Sequence, residues 1–184
     1  MKNLRERVNI EYWQVVYMEK NERDYYFNIF LNLVRATYMN LEKDWEKIAK
    51  EAGLTHAQMH ALWILNLDDG LTLDELGNIA LWNKSTTSAL ISRLVKKGYV
   101  RKEKYLNNSR IIKIYITDTG RVILDKSVGS KSAFEFMGLF ENFDRQEIEV
   151  FLKTLDKICD KVGKWDMKDF RSFLEVSSNK LFKN

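Results

Sequence analysis

From residue 23 to residue 51, Tyr26, Ile29, Phe30, Leu33, Val34, Thr37, Tyr38, Leu41 and Trp45 recur at spacings of three and four. That period predicts one long amphipathic helix, with Gly53 placed as its C-terminal cap. An apolar face of this length requires a partner, and another subunit would serve. Thr55 followed by Gln58, and Thr72 followed by Glu75, are hydroxyl-then-amide or carboxylate pairs three residues apart. Each is the pattern of a capping box. The first opens a helix carrying Met59, Leu62, Trp63 and Leu65, ended by the turn Asp68-Asp69-Gly70. The second opens a short helix with Leu73, Leu76 and Ile79 facing inward. Another helix follows almost at once, from about Lys84 to Lys97, with Gly98 closing it.

Two short helices joined so briefly predict a helix-turn-helix. At roughly 100° per residue, Thr87, Leu90, Ile91, Leu94 and Val95 fall on one arc of the second. Ser85, Thr86, Ala89, Ser92, Arg93 and Lys96 fall on the other. Strand formers then run from Tyr99 to Tyr105 and from Ile111 to Thr117. Leu106-Asn107-Asn108-Ser109-Arg110 lies between them as turn chemistry, so a β-hairpin, or wing, is expected. Beyond it, a helix runs from Thr117-Asp118-Thr119-Gly120 to about Lys131. Another, roughly 144–163, carries Ile148, Phe151, Leu152, Leu155, Ile158 and Val162. The stretch from Trp165 to Phe182 is again amphipathic, with Phe170, Phe173, Leu174 and Leu181. The first 20 residues read equally as an arm or a separate helix. The expected fold is mainly α: a winged helix-turn-helix with a two-stranded wing, flanked by long N- and C-terminal helices.

Charge sharpens this picture. Between Asn83 and Arg110 stand Lys84, Arg93, Lys96, Lys97, Arg101, Lys102, Lys104 and Arg110, against the single acid Glu103. Eight cations less one anion leave +7, where the whole chain carries +4. The positive charge is thus concentrated on a helix, a strand and a turn, which can lay cations along a phosphate backbone. Small hydroxyl and methyl side chains at Ser85, Thr86, Ser88, Ala89 and Ser92 permit close approach to a major groove. Arg93, Lys96 and Lys97 reach bases or phosphates, and Arg110 is placed to enter a minor groove. The bland readings are a solvated basic face, an ion-pair role for Arg93, and simple solubility for Lys96 and Lys97.

With 45% apolar residues and 12% aromatics the chain has material for a core. The absence of proline permits long helices. No apolar run approaches the roughly 20 residues that span a bilayer, no signal peptide is evident, and one cysteine excludes an intramolecular disulfide framework. A cytoplasmic protein is expected. His56 and His60, four apart, are weak metal candidates only, because a zinc site wants three or four ligands. Cys159, beside Ile158, reads as a buried structural cysteine rather than a redox sensor. Trp45, Trp63, Trp82 and Tyr38 are either packing or the lining of an effector pocket. Nothing assembles a nucleophile with a base, so an enzyme is not expected, nor is a cofactor.

From Leu54 to Lys126 the chain resembles the MarR family of transcriptional regulators. The resemblance rests on LTHAQMHALWIL, LTLDELGNIA, NKSTTSALISRLVKKGYV and NNSRIIKIYITDTG in that order. LEKDWEKIA and the extended C-terminus are similar to its Hpr-like branch. The resemblance implies a homodimer held by the first and last helices (1–53 and 119–184), with a DNA-binding winged helix at 54–118. The dimer would bind a pseudo-palindromic operator on double-stranded DNA, as a repressor, with Lys84–Lys97 as recognition helix and Arg110 as wing arginine. An effector molecule is possible for the family but is not indicated by these residues. Two departures stand out: Asn108, where the family often has an acid, and Ala89, where it often has a basic residue. The competing class is a winged helix whose basic face docks an acidic protein.

Overall fold

The computed structural model describes residues 19–105, 108–128, 137–162 and 166–182. Its helices are α1 (Lys20–Glu51), α2 (His56–Leu67), α3 (Leu73–Ala80), α4 (Lys84–Lys96), α5 (Asp118–Val128), α6 (Arg145–Val162) and α7 (Lys168–Phe182). Its strands are β1 (Leu71–Thr72), β2 (Val100–Tyr105) and β3 (Asn108–Ile116), and a 3-10 turn spans Met137–Asn142. The chain is mainly α with a small antiparallel sheet, the winged helix-turn-helix expected from the sequence. Residues 1–18, the tip residues 106 and 107, and the C-terminal end of the helix expected to reach Lys131 lie outside the described residues.

Residues 1–39 and 40–184 form two compact units. In the first, the aromatic side of α1 is exposed: Tyr26 at 51%, Phe30 at 40% and Leu33 at 62%. In the second, one core gathers Ile48 from α1, Met59, Leu62 and Leu65 from α2, Leu76 from α3, Ile91 and Leu94 from α4, Ile114 and Ile116 from β3, and Leu124 from α5.

The local start signals work as read. Thr55 and Gln58 form a reciprocal capping box, as do Thr72 and Glu75. Each satisfies two of the backbone N–H groups that a helix start leaves open. Gly53 and Gly98 have φ of +63° and +75°, the left-handed conformation that glycine adopts without a Cβ penalty.

The sheet differs from the expectation in two ways. A third strand, the two-residue β1, pairs antiparallel with β3 (Leu71 opposite Ile114), so the order is β1-β3-β2. It was missed because two residues carry no period. In addition β3 begins at Asn108, inside the stretch expected to be turn. Lys104 pairs with Ile112 but Tyr105 pairs with Asn108, so Ser109, Arg110 and Ile111 fall in a bulge. Asn, Ser and Arg read as turn formers, but the ladder to Tyr105 draws them into the strand. The alternation of Ile112, Ile114 and Ile116 is met only in part. Ile114 and Ile116 are buried, while Ile112 is 46% exposed, beyond the edge of the core.

Candidate nucleic-acid interface

The turn between α3 and α4 is built from local hydrogen bonds. Leu81 takes the left-handed conformation at φ 56°, ending α3. The Asn83 side chain then caps α4, accepting from the Thr86 N–H at 2.8 Å and from the Ser85 hydroxyl at 2.7 Å. Thr87, fully buried, donates its hydroxyl to the Asn83 carbonyl at 3.0 Å. A Cβ added at Gly77 would stand 3.0 Å from that Thr87 oxygen and 3.3 Å from the Trp82 carbonyl oxygen. The closeness of α3 to α4 therefore depends on glycine.

α4 divides as its pattern suggested. Thr87, Leu90, Ile91 and Leu94 are buried, while Ser85, Thr86, Ala89, Ser92, Arg93 and Lys96 are exposed along one side. Val95 departs from the expectation: it is 38% exposed, because it lies at the margin of the buried arc near the end of the helix. Ser88 is half-buried and its carbonyl accepts the Ser92 hydroxyl at 2.8 Å. Lys84 is exposed and pairs with Asp74 at 3.1 Å. Lys97, outside the helix proper, donates from Nζ to the Gly53 carbonyl oxygen at 2.8 Å.

On the wing, Arg101 lies 5.0 Å from the Tyr115 ring centre and hydrogen-bonds Glu103 at 2.6 Å. Lys102, Lys104 and Arg110 are exposed. Arg110 occupies the bulge, a device that re-aims side chains relative to the ladder. Asn108 pairs through its backbone with Tyr105; its side chain lies outside the described residues.

Sequence reasoning missed the flank of this surface. A recess of about 300 Å³ opens between the first turn of α2 and α4, lined by Thr55, Ala57, Gln58, Thr86, Ala89, Leu90 and Arg93. The Thr55–Gln58 capping box marked a helix start, but only packing places that start beside the polar arc of α4. Ala89 contributes a single methyl group there, which leaves the recess open.

Trp45, Trp63, Trp82, His56 and His60 form one packed cluster. Trp45 stacks on His56 at 6.0 Å and meets Trp63 edge-on at 5.9 Å. His60 lies 5.7 Å from Trp45, 5.7 Å from Trp82 and 6.2 Å from His56. Burial, and secondarily the charge of His56, lowers the His60 pKa from 6.5 to about 4, so this ring is neutral near pH 7. His56 Nδ1 is 3.6 Å from a Glu42 carboxylate oxygen. Among the described residues no group of three His, Cys, Asp or Glu could hold a metal ion. Tyr38 is 55% exposed on α1. Cys159 is half-buried rather than buried. No helix among the described residues is long and apolar enough to cross a membrane.

These elements define a winged helix-turn-helix protein with a polar, cationic outer face on its second helix. The sequence model of the MarR family matches residues 54–112. The chain is 28% identical over 119 residues to the DNA-binding transcriptional repressor ScoC of Bacillus subtilis (strain 168), covering 65% of this chain and 53% of that protein. It is 29% identical over 98 residues to the HTH-type transcriptional regulator Hpr of Bacillus licheniformis, covering 53% and 48%. The chain spans about half the length of these curated relatives, which are transcription regulators rather than enzymes. Among solved structures, a MarR-family regulator from Silicibacter pomeroyi superposes with a TM-score of 0.62 at 29% identity, over 73% of this chain and 90% of that one. A mutant MarR from E. coli, complexed with operator DNA, shares the fold at a TM-score of 0.56 and 21% identity, over 72% and 96%.

Proposed function

We propose that the chain is a sequence-specific DNA-binding transcriptional regulator, a repressor, working as a homodimer on a pseudo-palindromic operator. The observation that carries this reading is the outer side of α4, where Ser85, Thr86, Ala89, Ser92, Arg93 and Lys96 are exposed together inside the +7 segment. In this reading α4 enters the major groove, where Arg93 reaches base edges and Lys96 a phosphate. Arg110 enters the adjoining minor groove from the wing, with Asn108 beside it in the chain. Thr55, exposed at the rim of the recess, meets the backbone of the same strand.

The homodimer is supported by apolar faces that the described residues leave uncovered: the aromatic side of α1, and Phe151, Leu152 and Leu155 of α6, exposed at 53%, 49% and 40%. A second copy is the natural cover, with regions 1–53 and 119–184 as dimerisation elements and 54–118 as the reading head. Acting on DNA, the protein would work in the cytoplasm.

Selection of bound sequences from a random duplex pool at about 150 mM salt tests this. A palindromic motif with half-sites about one helical turn apart is the expected result. Recovery of no motif would overturn sequence-specific reading and turn attention to an acidic protein partner for the basic face.

A further inference from the structure

Helix α7 is tied on two sides. Toward α6, the Arg171 guanidinium donates to Asp156, at 2.8 Å, and to Asp160. Toward the helix-turn-helix, Asp169 accepts from the Asn78 amide of α3 at 2.8 Å, and Lys180 donates to the Asn66 carbonyl of α2 at 2.7 Å. Phe173 packs against the core between these ties. Asp156 and Asp160 are one turn apart, and at 100° per residue they lie well round the helix from Phe151 and Leu155. α6 therefore turns its acidic side to α7, and among the described residues nothing covers its apolar side.

The α3 end of this linkage is stiff. Gly77 lets α3 approach Thr87 of α4 more closely than a Cβ would comfortably allow, and the two helices are joined by a turn of three residues. An orientation imposed on α3 is therefore imposed on α4. We propose that α7 is a brace that sets the angle between α6 and the reading head, with Arg171 and Asp169 as positioning residues that fix which operator spacing the dimer accepts. This rests on the dimeric DNA-binding reading above.

A lever argument gives the scale. With reading helices about 34 Å apart, each stands about 17 Å from the dyad, and a tilt of about 10° moves it by about 3 Å, close to one base-pair rise. Exposed ion pairs add little stability, so loosening the brace widens the range of angles without unfolding the head.

The test uses the full chain and its selected palindrome, together with versions carrying one base pair inserted or deleted between half-sites. For the native sequence, insertion or deletion is expected to cost about tenfold or more in affinity, comparable with mispositioning a base contact. Arg171→Ala and Asp169→Ala are expected to cut that penalty to about threefold or less while keeping most of the affinity for an isolated half-site. Arg171→Lys, which keeps a cation near Asp156 and Asp160, should restore part of the penalty. Thermal melts of each variant report whether the head stays folded. Variants that retain the full spacing penalty would overturn the brace while leaving the DNA reading intact, as would a native chain that selects a palindrome but ignores its spacing. A native chain that selects no palindrome would overturn both.

Discussion

Lys97 Nζ donates to the carbonyl oxygen of Gly53, 44 residues earlier, at 2.8 Å, tying the end of α4 to the turn that follows α1. Gly53 is the left-handed residue that follows α1, at φ +63°. The sequence offered Lys97 as a phosphate contact or a solubilising charge, and the structure shows it engaged with the protein's own backbone. Lys97→Met should therefore lower stability by about 1 kcal/mol, the net worth of one such hydrogen bond. It should leave the salt dependence of DNA binding unchanged. A fall of about 1 in the log–log salt slope would instead mark Lys97 as a phosphate contact.

Arg93 and Arg110 are expected to behave differently from Lys97. Arg93→Ala should cost about 1–3 kcal/mol of operator affinity and relax preference at the base it reads. Arg110→Ala should cost a similar amount, concentrated on sites with A·T-rich flanks, where a narrow minor groove focuses negative potential. Titration of each variant against the selected site and single-base variants of it checks both. Unchanged affinity in both would refute the assignment of these two side chains.

Asp69 holds the base of the wing. Its carboxylate accepts from the Ile116 N–H at 2.9 Å, from the Gly70 N–H at 3.1 Å and from Arg121 at 2.7 Å. Ile116 is 2% exposed, so its N–H has little access to water. Asp69→Ala should destabilise by about 2 kcal/mol, the cost of leaving a buried donor unsatisfied. Asp69→Asn, which can still accept at one oxygen, should cost less. Urea denaturation of the two variants gives the order, and equal losses would count against this role.

His60 predicts an acid-sensitive core. Its pKa in the folded chain, about 4, is below the 6.5 of the unfolded chain, because burial and then His56 disfavour the charged ring. The neutral ring is thus the folded form. The corresponding stability is fully present above about pH 6.5 and is lost as pH falls toward 4, by about 3 kcal/mol in total. His60→Phe should remove this share of the acid loss. Denaturation midpoints followed by fluorescence of the neighbouring Trp45, Trp63 and Trp82, at pH 7 and pH 4.5, should converge more in the variant than in the native chain. An equal drop in both would locate the sensitivity elsewhere.

What could be read from the sequence alone was whatever is settled within one or two turns of chain. The capping boxes at Thr55 and Thr72, the glycine caps at 53 and 98, and the split of α4 into Leu90/Ile91/Leu94 and Ser85/Ala89/Arg93 all rest on neighbours three or four positions apart. Local backbone hydrogen bonds and helical periodicity are encoded at that range. The tertiary structure decided what depends on distant partners. β1 exists only because β3 pairs with it, and Arg110 leaves its expected turn because Tyr105 finds Asn108 across the ladder. Lys97 meets Gly53, Asp69 meets Ile116, and Asn78 meets Asp169 across 44, 47 and 91 positions. No spacing rule announces such pairs, because a polar side chain carries the same hydrogen-bonding capacity whatever partner packing brings to it.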